Sequence, residues 1–165
     1  MLFKKYFLVL FILLLSGCGW RPVYYQDTAD QSEDTACVDI LPIPEETGRF
    51  LRLKLEDLLN PQKQDLPKKY VLQVSLSETI NSDQGILGDN TATRATMRIT
   101  AYILLKQDGN VLLNTSTFAT SSYNILMLPY PTVTAENATR HRLLEMLSNQ
   151  IATRVTVYLK KQDNQ

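Results

Sequence analysis

A chain of 165 residues with 17 Lys+Arg, 17 Asp+Glu and no formal net charge has the size of one domain and no basic field to recruit nucleic acid. Apolar residues make up 44% and charged residues 21%, which suits a packed core and excludes wholesale disorder. One His and two Cys exclude a disulfide scaffold and a structural zinc site built from the usual four soft ligands.

Lys4 and Lys5 precede an unbroken apolar run of 10 residues, Tyr6 to Leu15, closed by Ser16-Gly17-Cys18. A cationic start, a short apolar stretch and small residues at its end describe a secretory leader. The run is too short to cross a membrane comfortably, which takes about 20 apolar residues. Leu15-Ser16-Gly17-Cys18 resembles a bacterial lipobox, in which the Cys thiol is lipidated and the leader is cut before it. The competing reading is an uncleaved signal anchor with Cys18 as a small residue at its end. Stable anchoring takes more than one acyl chain, and a triacylated Cys18 meets that need. Gly19 rather than Asp follows the Cys; by similarity to lipoprotein sorting in enteric bacteria, that implies the outer membrane, on its periplasmic side. Cleavage leaves 148 residues with 15 basic and 17 acidic groups, a formal charge of −2.

Residues 26–36 hold no large apolar side chain and read as a solvated tether. Cys37 opens an apolar segment, and burial is favoured for it over pairing between chains. A first strand is expected at 37–43, ended by Pro42 and Pro44. Glu45-Glu46 open a helix whose apolar face is Phe50, Leu51, Leu53, Leu55, Leu58 and Leu59; Asn60-Pro61 stop it. Residues 70–77 alternate, with Tyr70, Leu72, Val74 and Leu76 on one face. Residues 81–92 suggest a loop or a long irregular hairpin. Residues 93–106 alternate again, Met97, Ile99, Ala101 and Ile103 opposite Thr96, Arg98, Thr100 and Tyr102. Gln107-Asp108-Gly109-Asn110 is a hairpin turn, and 111–125 a Ser/Thr-rich returning strand. Pro129-Tyr130-Pro131 breaks it, and a last helix is expected from about Thr134 to Leu159, with Leu144, Leu147, Ile151, Val155 and Tyr158 at steps of 3 or 4. The expected fold is α+β: a two-layer sandwich of two helices on one face of a four-stranded mixed or antiparallel sheet, in chain order β-α-β-β-β-α. Its domain spans 37–160, with 161–165 as a tail.

Catalytic motifs are sparse. His141 sits between Arg140 and Arg142 on the last helix and reads as a surface residue; no Gly-x-Ser-x-Gly elbow accompanies it. Glu45-Glu46 and Glu56-Asp57 are adjacent pairs that do not converge on a helix. No Gly-rich phosphate loop follows a strand. Two glycosylation sequons, at Asn114 and Asn137, are incidental in a bacterial lipoprotein. Arg94 and Arg98 share a strand face with Thr96 and Thr100. Guanidinium forks suit phosphate and carboxylate, so this face is a candidate anion site; the alternative is an ordinary solvated sheet face.

Cys18-Gly19-Trp20-Arg21-Pro22-Val23-Tyr24 resembles the start of the mature LptE family, lipopolysaccharide-assembly lipoproteins, in its alphaproteobacterial form. Arg49–Leu55, Tyr70–Val74, Thr93–Thr96 with Ala101–Leu104, Ala119–Asn124 and Ala135–Leu147 resemble successive elements of that family in the same order. The acidic tether and the apolar Ile125-Leu126-Met127-Leu128 depart from it. The resemblance implies the same α+β fold and a non-enzymatic role without a cofactor. It implies a plug and assembly subunit in the lumen of the LptD outer-membrane β-barrel, with lipopolysaccharide as the bound lipid. Cys18 is then the membrane anchor, and Arg94 and Arg98 are the candidates for contacting lipid A phosphates. The stretch 125–130 is either a contact patch for the barrel or the buried end of strand four. The alternatives are an auxiliary lipoprotein of a lipid-trafficking ABC transporter and a lipoprotein enzyme such as a cell-wall hydrolase.

Overall fold

The computed structural model describes residues 35–86, 92–126 and 129–163. The leader 1–17, Cys18 and most of the expected tether lie outside the described residues. The elements are β1 (Val38–Ile40), α1 (Glu45–Leu59), β2 (Tyr70–Ile86), β3 (Ala92–Gln107), β4 (Asn110–Asn124) and α2 (Pro129–Asp163). The sheet order is β1-β2-β3-β4, with β1 parallel to β2 and the other pairs antiparallel. This is the α+β arrangement expected from the alternating and helical periodicities.

The inward faces meet in one core. Leu72, Met97, Ile99, Ile103 and Leu105 from the sheet pack against Leu51 and Leu55 of α1 and Leu144, Leu147, Ile151 and Val155 of α2. Burial of apolar side chains of this size stabilises by about 1.5–3 kcal/mol each, the main favourable contribution to the fold. Of the leucines on α1, Leu53 and Leu58 stay exposed. Cys37 is buried, as its apolar neighbours suggested, with 4% of its surface accessible. Thr35 and Ala36, the last residues of the expected tether, are buried too. Lys68 Nζ donates to the Ala36 carbonyl at 2.8 Å, and the Lys69 amide donates to that of Cys37 at 2.9 Å, fastening the chain where it enters the fold.

Asp108 (φ 49°) and Gly109 (φ 82°) give the β3–β4 turn the paired left-handed residues of a tight hairpin. Gly48 meets a different demand. A Cβ there would lie 2.6 Å from Ile43 Cγ2 and 2.8 Å from the Ile43 carbonyl, so α1 approaches the β1–α1 connection more closely than a side chain allows.

Four boundaries differ from the sequence reading. The first strand is only 38–40, because Pro42 and Pro44 leave it few residues to pair. β2 runs beyond the alternating 70–77 to Ile86, the long irregular hairpin rather than the loop of the two readings of 81–92, since pairing with β3 continues past a register shift between Asn81 and Gln84. α2 starts at Pro129, not Thr134, because prolines in a first helical turn lack only N–H groups that have no helical partner there. It also runs through the expected tail to Asp163; its 35 residues span about 52 Å.

Candidate functional site

Both helices cover one face of the sheet, and among the described residues no element covers the other. The register sets that face in rows: Asn81, Thr96 and Ser122; Thr79, Arg98 and Thr120; Ser77, Thr100 and Phe118; Ser75, Tyr102 and Ser116. Arg94 lies opposite Asn124. Period 2 in the sequence puts these residues outside because their neighbours, Ala95, Met97, Ile99 and Ala101, go inside. The result is a surface of hydroxyls and amides. Thr96 Oγ1 and Ser122 Oγ are hydrogen-bonded across β3 and β4 at 3.0 Å.

Arg94 and Arg98 therefore share this face, with Thr96 and Thr100 beside them, and both are exposed. Arg98 is not a bare cation. Its guanidinium carbon lies 3.8 Å from the centroid of the Phe118 ring, a diagonal neighbour on β4. Phe118 is one of the few large apolar residues of the Ser/Thr-rich returning strand, yet 53% of its surface is accessible. It does not enter the core, because its position has the parity of the open face. Tyr102, on the same face, is also exposed. Two guanidinium groups, two aromatic rings and a surround of hydroxyls can hold an anionic headgroup and lie against a polar wall.

The described residues of the 125–130 stretch are not the buried end of strand four. β4 stops at Asn124; Ile125 packs partly against the core, while Leu126 and Tyr130 are exposed. Residues 127–128 lie outside the described residues. Thr132 Oγ1 accepts from the Leu126 amide at 2.9 Å, which ties the start of α2 to the end of β4.

A charged cluster absent from the sequence reading joins sheet to helix. Arg140 on α2 lies between Glu78 of β2, at 2.8 Å, and Glu136, one helical turn before it, at 2.6 Å. Its Nη1 also donates to Asn137 Oδ1 at 2.8 Å. The hydrogen bond to Glu78 leads in raising the Arg140 pKa. Tyr123 Oη donates to Glu136 Oε2 at 3.4 Å, and desolvation, with the Glu136 charge second, raises the phenol pKa. The spacing of Glu136 and Arg140 was a readable helical pair. Glu78, 62 residues away from Arg140 in sequence, gave no such signal.

His141 is exposed, with its ring edge-on to Phe50 at 4.8 Å between centroids. Among the described residues no carboxylate bonds to it. Glu56 pairs with Arg52 at 2.8 Å on the surface of α1, as capping and surface charges do. Asn137 is occupied by Arg140.

No family model and no curated protein matches the sequence. Solved structures share the fold. A candidate lipoprotein of Caulobacter crescentus CB15 superposes with a TM-score of 0.62 at 21% identity, over 81% of this chain and 98% of that one. A minor lipoprotein of Acinetobacter baumannii gives 0.58 at 19% identity, over 74% and 92%. The rare lipoprotein B of Shewanella oneidensis gives 0.58 at 9% identity, over 76% and 99%. The likeness is one of fold, and it extends over almost the whole length of each of these chains.

Proposed function

We propose that this chain is an outer-membrane lipoprotein of the LptE type, anchored through Cys18, that seats in the lumen of an LptD-type β-barrel and helps that barrel form and pass lipopolysaccharide outward. The observation that carries this reading is the open sheet face. A sheet face left without a helix, rich in hydroxyls and amides, suits a partner with a polar wall, and the interior of a large outer-membrane barrel is polar. The lipobox at 15–18 and the Cys-Gly-aromatic-Arg-Pro start supply the anchor and the resemblance. The shared fold of three solved lipoproteins is consistent with both. Arg94 and Arg98 act as phosphate ligands for the lipid A headgroup, and no covalent chemistry is required of the chain.

The test is depletion of the protein in its own cells. The expected outcome is loss of assembled barrel together with retention of newly made lipopolysaccharide on the periplasmic side. Normal barrel assembly and normal surface lipopolysaccharide after depletion would remove the reading.

A further inference from the structure

The two edges of the sheet are unlike. Beyond Leu72, β2 has no partner on its β1 side among the described residues. That edge carries Glu78, whose strand position faces the helices, and an irregularity between Asn81 and Gln84, two devices that discourage strand addition. The β4 edge has its one register shift near its start, where Leu105 pairs with Leu113 and Lys106 with Val111, and carries no such device from Phe118 to Asn124. From Asn110 to Leu128 the sequence has no charged residue, no proline and no glycine.

Two hydrogen bonds fix which main-chain groups of β4 point outward. The Ile125 amide donates to the Thr93 carbonyl at 2.9 Å, so odd-numbered residues face β3. The Ser116 carbonyl accepts from Arg154 Nη1 at 3.2 Å, so even-numbered residues face away. Arg154, which also donates to Thr115 Oγ1 at 3.1 Å, covers the edge at its first half. In the second half, Phe118, Thr120, Ser122 and Asn124 turn their N–H and C=O groups outward with no cover among the described residues. Pairing groups in this state are a template for another strand.

We propose that the β4 edge from Phe118 to Asn124 takes an extended, uncharged segment of a partner protein as a fifth strand of the sheet. The edge spans about 23 Å, and a seven-residue strand pair buries far less than the roughly 1,200–2,000 Å² of a stable interface, so two copies of this chain joined there alone do not make the complex. The added strand therefore belongs to a partner that also covers the open face beside it, where Arg98 and Phe118 already lie. A closed barrel has no free strand edge, so the segment is a loop or a terminus of that partner. The partner's identity rests on the barrel reading above; the strand addition does not.

The test uses the full-length, lipidated chain in its own cells. Single photo-reactive residues replace Thr120, Ser122 and Asn124, with Tyr102 as a face control, and crosslinked peptides are sequenced. The expected result is a ladder: each two-residue step along β4 moves the crosslink two residues along one partner segment. Thr120→Pro removes only an outward N–H and leaves the bonds to β3 intact, so it melts like wild type yet lowers the crosslink yield at Ser122 about tenfold, the worth of roughly one lost hydrogen bond. Thr120→Val keeps the yield. A ladder on a barrel protein upholds both proposals, and a ladder on another protein upholds the edge and removes the barrel. Barrel crosslinks from Tyr102 without a ladder remove the edge and keep the barrel. No edge crosslink, a ladder between two copies of this chain, or a normally melting Thr120→Pro with wild-type yield overturns the edge proposal. If Thr120→Pro fails to fold, the ladder alone decides.

Discussion

Arg140 on α2 grips Glu78 on β2 with both arms of its fork, Nη2 to Oε1 at 2.8 Å and Nε to Oε2 at 2.9 Å. Only 19% of the arginine side chain is accessible, so the pair is partly shielded from water. Removing the cation leaves Glu78 and Glu136 facing each other. Arg140→Leu is expected to cost roughly 1–3 kcal/mol, read as a lower denaturation midpoint at unchanged m-value. Glu136→Gln, which leaves the Glu78 fork in place, costs less. An Arg140→Leu chain as stable as wild type would show that the cluster contributes nothing net.

Tyr123 lies at the same cluster, and its phenol pKa is raised above the ordinary 10.0, first by desolvation. The folded chain thus keeps a proton that the unfolded chain gives up. That contribution is complete below about pH 10 and is lost as pH rises through the folded value. Between pH 9 and 11 the wild type should lose more stability than Tyr123→Phe, measured by chemical denaturation at each pH. Parallel curves for the two chains would contradict this.

Gly48→Ala sets a gain in helix propensity of about 1 kcal/mol against a clash with Ile43. The Ile43 methyl could turn away, but its carbonyl carbon and oxygen, 2.8 Å from the new Cβ, are main chain and cannot. Overpacking costs typically 1–3 kcal/mol, and with main-chain atoms in the way the upper part of that range applies, so the net effect is destabilising by up to roughly 2 kcal/mol. A rise in melting temperature would mean that the β1–α1 connection yields freely.

Much of this was legible in the sequence. Period 2 over 70–77 and 93–106 named both faces of β2 and β3 correctly, including the shared face of Arg94 and Arg98. Asp108-Gly109 announced the hairpin, and the 3–4 spacing from Leu144 to Val155 announced the buried stripe of α2. What escaped depends on pairing. Residues 81–86 read equally as a loop or an irregular hairpin because their composition is poor for a strand, and only the β3 ladder decides for the hairpin. Phe118 stands in a Ser/Thr-rich strand without clean alternation, so only the register shows that it has the parity of the open face. Glu78 lies just past the alternating 70–77 with nothing in its neighbours to mark it, until the fold brings Arg140 to it from another element.

Arg94 and Arg98 are exposed, so replacing both with Gln should leave the melting temperature nearly unchanged; the Arg98–Phe118 stack is worth only about 0.5–1 kcal/mol. Binding of lipopolysaccharide should weaken about tenfold, since charge-assisted phosphate contacts are lost. Isothermal titration with intact and dephosphorylated lipid A separates the cases. Equal affinity of the double variant and wild type for intact lipid A would place the lipid elsewhere.

In the proposed complex the uncovered sheet face meets the polar wall of a barrel. Purifying the tagged, full-length chain in mild detergent and identifying what accompanies it by mass spectrometry checks this contact. The expected result is one outer-membrane β-barrel protein in equal amount, with amide exchange along β4 slowed relative to the chain alone. An ATPase and a permease in its place, with no barrel, would contradict seating in a barrel and assign the chain to a lipid transporter.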